Sequence, residues 1–192
     1  MNRQVAIAGT VAAMVAFAVL VFVAKRGAPA SARGTPAKAA TLAPPVVPAP
    51  PGRKIKAHLF YVADDGTRLS SVERDVAYGE GTEEQAHEIL SAQIAPIAEP
   101  LVSAIPAGTT LRAVFIAKSG DAYVDLSREA RTSHPGGTIN ELLTVYTIVN
   151  ALTANLPAVT AVQVLIDGKE VETLSGHVDL RRPLAKNLAW VQ

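Results

Sequence analysis

Cysteine is absent from all 192 residues. Its absence excludes disulfides, thiolate metal sites, cysteine nucleophiles and any lipid anchor on a cysteine. Acidic residues are absent from positions 1–63, where eight Lys and Arg stand unopposed. Positions 64–192 hold the other ten cations and all 17 acids, a net charge of −7. A basic tail joined to an acidic body argues against a nucleic-acid-binding core. Charge of either sign is missing between Gln4 and Ala24. Charged residues are 18% of the chain against 49% apolar ones, which excludes wholesale disorder. The length allows one ordinary domain plus additional segments.

The uncharged stretch Val5–Ala24 (VAIAGTVAAMVAFAVLVFVA) lies between Arg3 and the pair Lys25-Arg26. Twenty helical residues at roughly 1.5 Å each span about 30 Å, the thickness of a hydrocarbon core. A cleaved signal peptide is the alternative, with Ala30-Ser31-Ala32 as its cleavage site. Signal peptides carry a shorter apolar region with the cleavage site close behind it. Residues 1–24 therefore read as a short head and an uncleaved transmembrane anchor. Residues 25–54 hold seven of the thirteen prolines among alanines and cations, the composition of an extended linker.

From residue 55 the pattern changes to short apolar runs separated by turn residues. Ile55–Val62 reads as a strand, Asp65-Gly66 as a turn and Arg68–Val76 as its hairpin partner. Thr82 and Gln85 fit a capping box that opens a helix to about Gln93. Thr110–Ala117 and Asp121–Leu126 form a second expected hairpin around Ser119-Gly120. Thr138 and Glu141 fit a second capping box. The helix behind it carries Ile139, Leu142, Leu143, Tyr146 and Val149 at helical spacing and ends at Pro157. Ala161–Ile166 and Val171–Leu174, joined by Asp167-Gly168, form a third expected hairpin, and Val178–Leu180 a last short strand. The expected fold class is α+β: a largely antiparallel mixed sheet built of hairpins, with two helices packed on one face, preceded by a single N-terminal transmembrane helix. Residues 142–166 also lack charge, but Asn150, Asn155, Pro157 and Gln163 inside them argue for a buried helix and strand rather than a second membrane span.

Few residues suggest chemistry. His58, His87, His134 and His177 show no metal-type spacing. His177 and Asp179 share one face of an extended segment, yet two ligands fall short of a zinc site. Ser133-His134 is an adjacency in sequence, whereas a catalytic triad is assembled in space. Pro135-Gly136-Gly137 could present amides to an anion but lacks the lysine of a phosphate-binding loop, and a plain turn into the helix explains it. Asp64-Asp65-Gly66 starts like a calcium loop, but Arg68 and Ser70 stand where further oxygen ligands belong. Glu83-Glu84 is favourable charge at a helix N-terminus. No catalytic, metal or cofactor site is expected.

A series of segments in order resembles the GerMN domain, a module of sporulation and spore germination proteins. They are LFYVADDG, SVERDV, AHEILSA, LVSAIPAGTTL (101–111), AYVDLS (122–127), ELLTVYTIVNALTANLPAV (141–159) and VQVLIDGKEVETLSGHVDLRRPL (162–184). Ile105–Thr109, Tyr146–Leu152 and Gly176–Asp179 are the most specific parts. The chain departs at Ser91–Pro96, where a Gly-Pro usually follows the first helix. The resemblance covers about 58–184 and makes residues 55–192 a GerMN-like domain. It implies a domain outside the cytoplasmic membrane that binds or assembles with an envelope protein or a cell-wall component, without catalytic residues or cofactors.

Charge bias points the other way on topology. Arg3 alone precedes the span, while Lys25, Arg26, Arg33 and Lys38 follow it, which by the positive-inside rule would keep the body in the cytoplasm. Long domains can translocate regardless of that bias. The form of the chain and the resemblance favour an inner-membrane anchor at residues 5–24 with the body outside. The rival functional class is a cell-wall or small-molecule hydrolase whose site is assembled from scattered residues. Clustering of His134, His177 and carboxylates in one cleft would support it.

Overall fold

The computed structural model describes residues 52–192. The expected anchor at 5–24 and nearly all of the linker lie outside the described residues. Among the described residues no helix is long and apolar enough to cross a membrane.

The body opens with a hairpin, β1 (Lys54–Val62) and β2 (Leu69–Ala77), paired antiparallel and forming a two-stranded sheet of its own. Helix α1 (Thr82–Ile94) follows, then β3 (Leu111–Ile116), β4 (Asp121–Leu126), a single helical turn α2 (Glu129–Thr132) and the long helix α3 (Thr138–Asn155). The chain continues through β5 (Ala161–Ile166), β6 (Lys169–Glu170) and β7 (Leu184–Ala185), and ends in a 3-10 turn at Leu188–Trp190. The second sheet runs in the order β3-β4-β5-β6, with β7 also paired to the start of β5.

Both helices touch strands of both sheets. On α1, burial falls on Gln85, Ala86, Ile89, Leu90 and Gln93, one stripe at helical spacing. Helix α3 is buried around most of its circumference, from Leu143 and Val145 to Ile148, Val149 and Leu152. The alternating inner residues Ala122, Val124 and Leu126 of β4 and Val162, Val164 and Ile166 of β5 complete this core. The uncharged stretch at 142–166 is thus buried protein interior: α3 ends at Asn155, and β5 begins after a turn at Pro157.

Four expectations are corrected. The strands form two sheets rather than one. The larger is mixed, as expected, because α3 carries the chain back as a crossover and β4 pairs with β5 in parallel. The third hairpin stops at β6. Beyond it, Leu174 and Ser175 donate their N–H groups to the Glu141 carboxylate instead of to a strand. Val178–Leu180 forms no strand, and Leu180 N bonds Glu172 O. Neither threonine caps its helix. The caps are Gly81 and Gly137, without side-chain capping bonds, and Gln85 and Glu141 reach out to other segments.

Candidate functional site

The densest polar constellation surrounds the first turn of α3. The chain enters that helix through Gly136 and Gly137, at φ 78° and 86°, backbone that glycine adopts without steric cost. His134 folds back over this turn. Its Nδ1 accepts from Gly136 N at 2.9 Å, so in the neutral ring Nε2 carries the proton and faces Thr144 Oγ1 at 3.2 Å. Burial holds His134 below its ordinary 6.5, and the nearby His177 pushes the same way against the attraction of Glu141.

Glu141 is fully buried. Its Oε1 accepts from Leu174 N (2.7 Å) and Ser175 N (3.0 Å). Its Oε2 accepts from Ser175 Oγ (2.9 Å) and His177 N (2.8 Å), and lies 3.2 Å from His177 Nδ1. Burial alone would raise this carboxyl, but the donors on Ser175, His177 and Leu174 outweigh it and hold the group down at about 2. A carboxylate has roughly four lone-pair positions. Glu141 is therefore saturated, and its chemistry is that of a clamp: it ties the segment 174–177 to α3.

The structure thus brings His134 and His177 near one carboxylate, as the hydrolase reading asked, but without a catalytic geometry. The Ser175 hydroxyl donates to Glu141 and not to an imidazole, and no hydrogen bond joins Ser133 to His134. An activated serine needs a base within hydrogen-bond reach of its oxygen. His58 on β1 (Nδ1 3.3 Å from Ser71 Oγ) and His87 on α1 (Nδ1 3.5 Å from Ser91 Oγ, beside Glu88) do put an imidazole next to a hydroxyl. Among the described residues, however, no carboxylate holds the other ring nitrogen of either, the orienting group a triad requires. Asp179 does not join His177. Arg181 binds both of its carboxylate oxygens, through Nε at 2.9 Å and Nη2 at 2.8 Å, and holds its pKa far below the carboxylate range. Asp65 closes its own turn by accepting from Thr67 N at 2.8 Å. Among the described residues no three His, Asp or Glu converge on a point where a cation could sit.

Glu141 and the side-chain amides of Gln93, Asn150 and Asn155 are the polar residues that fasten remote segments to the helices, a role the sequence did not reveal. Their signal, a polar residue at a core-facing helical position, was visible at Gln93 and Asn150. An apolar groove of about 830 Å³ lies along residues 94–110, between Ile97, Leu101 and the Ile105–Thr109 turn. Thr109 closes that turn by donating its N–H and its hydroxyl to Pro106 O.

The family described as Germane, sporulation and spore germination, matches residues 58–172. No curated protein matches the chain. Among solved structures, the first GerMN domain of the sporulation protein GerM from Bacillus subtilis superposes with a TM-score of 0.51 at 21% identity, over 68% of this chain and 97% of that one. The tandem GerMN domains of the same protein give 0.51 at 19% identity, over 71% of this chain but 46% of that one, so the chain spans about half of the tandem. A Clostridium perfringens protein described as a candidate lipoprotein gives 0.50 at 22% identity, over 69% and 88%. At these identities the structures establish a shared fold. With more than half of its length matched, from the β1 strand to the segment after β6, the chain belongs to the Germane family of sporulation and spore germination proteins and carries a GerMN-like domain.

Proposed function

We propose that this protein is a non-enzymatic binding or assembly module of the bacterial cell envelope. Residues 5–24 anchor it in the cytoplasmic membrane, and the domain lies outside the cytoplasm. Its partner is an envelope protein or a cell-wall component, and nucleic acid is not a partner. The observation that carries the non-enzymatic reading is the saturation of Glu141 by four donors, Leu174 N, Ser175 N, Ser175 Oγ and His177 N, which fill the roughly four lone-pair positions of the one buried carboxylate near two histidines. The acidic balance of the body argues against nucleic acid, and the family's association with sporulation and germination supports an envelope role.

Two measurements test the reading. Purified chain incubated with cell-wall sacculi and with simple ester substrates should release no product. Turnover abolished by His177→Ala would replace the binding module with the hydrolase. For topology, single cysteines at Ser31 and at the exposed Ser119 can be probed in intact cells with a membrane-impermeant thiol reagent, after any outer membrane is permeabilised. Both should label. Labelling only after lysis of the inner membrane would put the domain in the cytoplasm.

A further inference from the structure

The sheet edges of this domain differ in how they are closed. Antiparallel ladders turn alternate residues toward the partner strand and the rest toward the free side. On β1 the outward residues are Lys54, Lys56, His58, Phe60 and Val62. The two lysines guard one end by charge, and the other three are occupied. Asn155 bonds both backbone groups of His58, Gln93 bonds both of Phe60, and Val62 N donates to Val102 O. On β2, Leu69 O is covered by Gln192 N and Ala77 O by Gln85, and the stretch between is guarded by Glu73, Arg74 and Asp75. Charges along an edge oppose pairing with another chain. In the larger sheet, β6 and β7 cover the far side of β5.

The edge of β3 is different. Ala117 N bonds Asp121 O across the turn, which places Phe115 and Ala113 in bonded pairs with Tyr123 and Asp125. The N–H and C=O groups of Val114 and Ile116 therefore face outward. Among the described residues no hydrogen bond takes them up. A bulge between Leu111 and Ala113 and the charged Arg112 guard one end of the strand, but Ala113–Ala117 carries no charge. Phe115, in the middle, is 58% exposed, a large aromatic left in water. This edge borders an open groove of about 580 Å³ whose other wall is the start of α1, with Glu83, Glu84 and His87. Helix α1 carries three glutamates, with Glu80 just before it, and no Lys or Arg.

We propose that this groove accepts an extended, basic segment of an envelope protein, which adds to the sheet as a strand beside Val114 and Ile116. The inference rests on the reading of the domain as a binding module and names its surface and the chemistry of its partner. Main-chain bonds to the β3 edge give such a complex its affinity, and alternate side chains give it register. Apolar residues on the added strand pack beside Phe115, and its cations face Glu83 and Glu84. A second copy of this chain fits the groove less well. Pairing β3 with its own mate would bring two acidic α1 termini to the same groove, and like charges oppose that.

The test uses the full chain in nanodiscs of neutral phosphatidylcholine, with empty nanodiscs as the control. The probe is a fluorescein-labelled synthetic peptide of alternating lysine and valine. A second peptide has the same side chains but carries N-methyl groups on alternate backbone nitrogens, which removes donors from one edge without altering charge. The plain peptide should raise anisotropy saturably, and the N-methylated one should bind about tenfold more weakly. Ile116→Pro, which removes an outward N–H without breaking a ladder bond, should give a loss of the same order. Glu83→Lys should weaken binding in a salt-dependent way. Equal affinity for the two peptides, or no binding of either, overturns the proposal. So does an unliganded dimer in sedimentation that Ile116→Pro dissolves, because a second copy then holds the edge. A chain that binds no peptide and also turns over no substrate loses this inference alone and remains a non-enzymatic module.

Discussion

Asn155, the last residue of α3, holds His58 of β1 by both of its backbone groups: Oδ1 accepts from His58 N at 2.8 Å, and Nδ2 donates to His58 O at 2.8 Å. Gln93 of α1 does the same to Phe60, and Asn150 of α3 does it to Asn187. A side-chain amide presents the same donor and acceptor as a peptide unit, so Gln93 and Asn155 each substitute for one position of a strand beside β1, and Asn150 holds the irregular segment at Asn187 in the same way. Two of them close the outer edge of β1, and all three fasten remote segments to the helices.

Gln93→Leu keeps the volume but leaves the N–H and C=O of Phe60 buried and unpaired. Urea unfolding should show a loss of about 2–4 kcal/mol, against about 1 kcal/mol for Asn155→Ala at its more open position. A Gln93→Leu protein as stable as the parent would show that closing the β1 edge contributes nothing.

Glu141 makes stability depend on acid. Its folded pKa, about 2, lies below its ordinary value of 4.5, so its contribution is fully present above about pH 4.5 and is lost as pH falls toward 2. The size of that contribution is roughly 3 kcal/mol. Glu141→Gln should be clearly less stable than the parent at pH 7, and the difference should shrink in urea melts at pH 3 and below. Acid limbs that run parallel in the two proteins would contradict the clamp.

Leu143 is 2% exposed on the inner side of α3. Leu143→Asp should destabilise by about 4 kcal/mol or more, because it buries a charge among apolar neighbours without a partner. Phe115→Ala, on the open edge, should change stability by no more than about 0.5 kcal/mol. Thermal melts of the two variants separate core from surface directly, and similar shifts in both would mean that β3 is not an exposed edge.

The domain boundary can be placed more closely than the composition change near residue 55. Lys54 already pairs with Ala77, Arg53 O accepts from Tyr78 N at 2.9 Å, and the Arg53 guanidinium lies 3.9 Å from the centre of the Tyr78 ring. A fragment spanning 52–192 should fold without detergent and should be more stable than 55–192 by about 1–2 kcal/mol. Equal denaturation midpoints for the two fragments would return the boundary to Ile55.

The sequence by itself determined the local elements. Ile55–Val62, Asp121–Leu126 and Ala161–Ile166 appear as strands, and the helices begin at Thr82 and Thr138 as expected, because alternation and helical spacing of apolar residues are properties of neighbours along the chain. The uncharged stretch at 142–166 also announced itself as interior through Asn150, Asn155 and Pro157. Only the tertiary structure decided which strands pair. The parallel contact of β4 with β5 depends on where α3 places its far end, and the division into two sheets depends on how β1 is closed. It alone gave Glu141 its role. In sequence that residue fits a capping box, since the pattern reports a carboxylate three positions into a helix. Its actual partners lie more than thirty residues downstream, and the Asn155–His58 clasp spans 97. Hydrogen bonds between groups so far apart leave no periodicity in the chain. They exist because packing the two helices against both sheets buries polar groups that must then find each other.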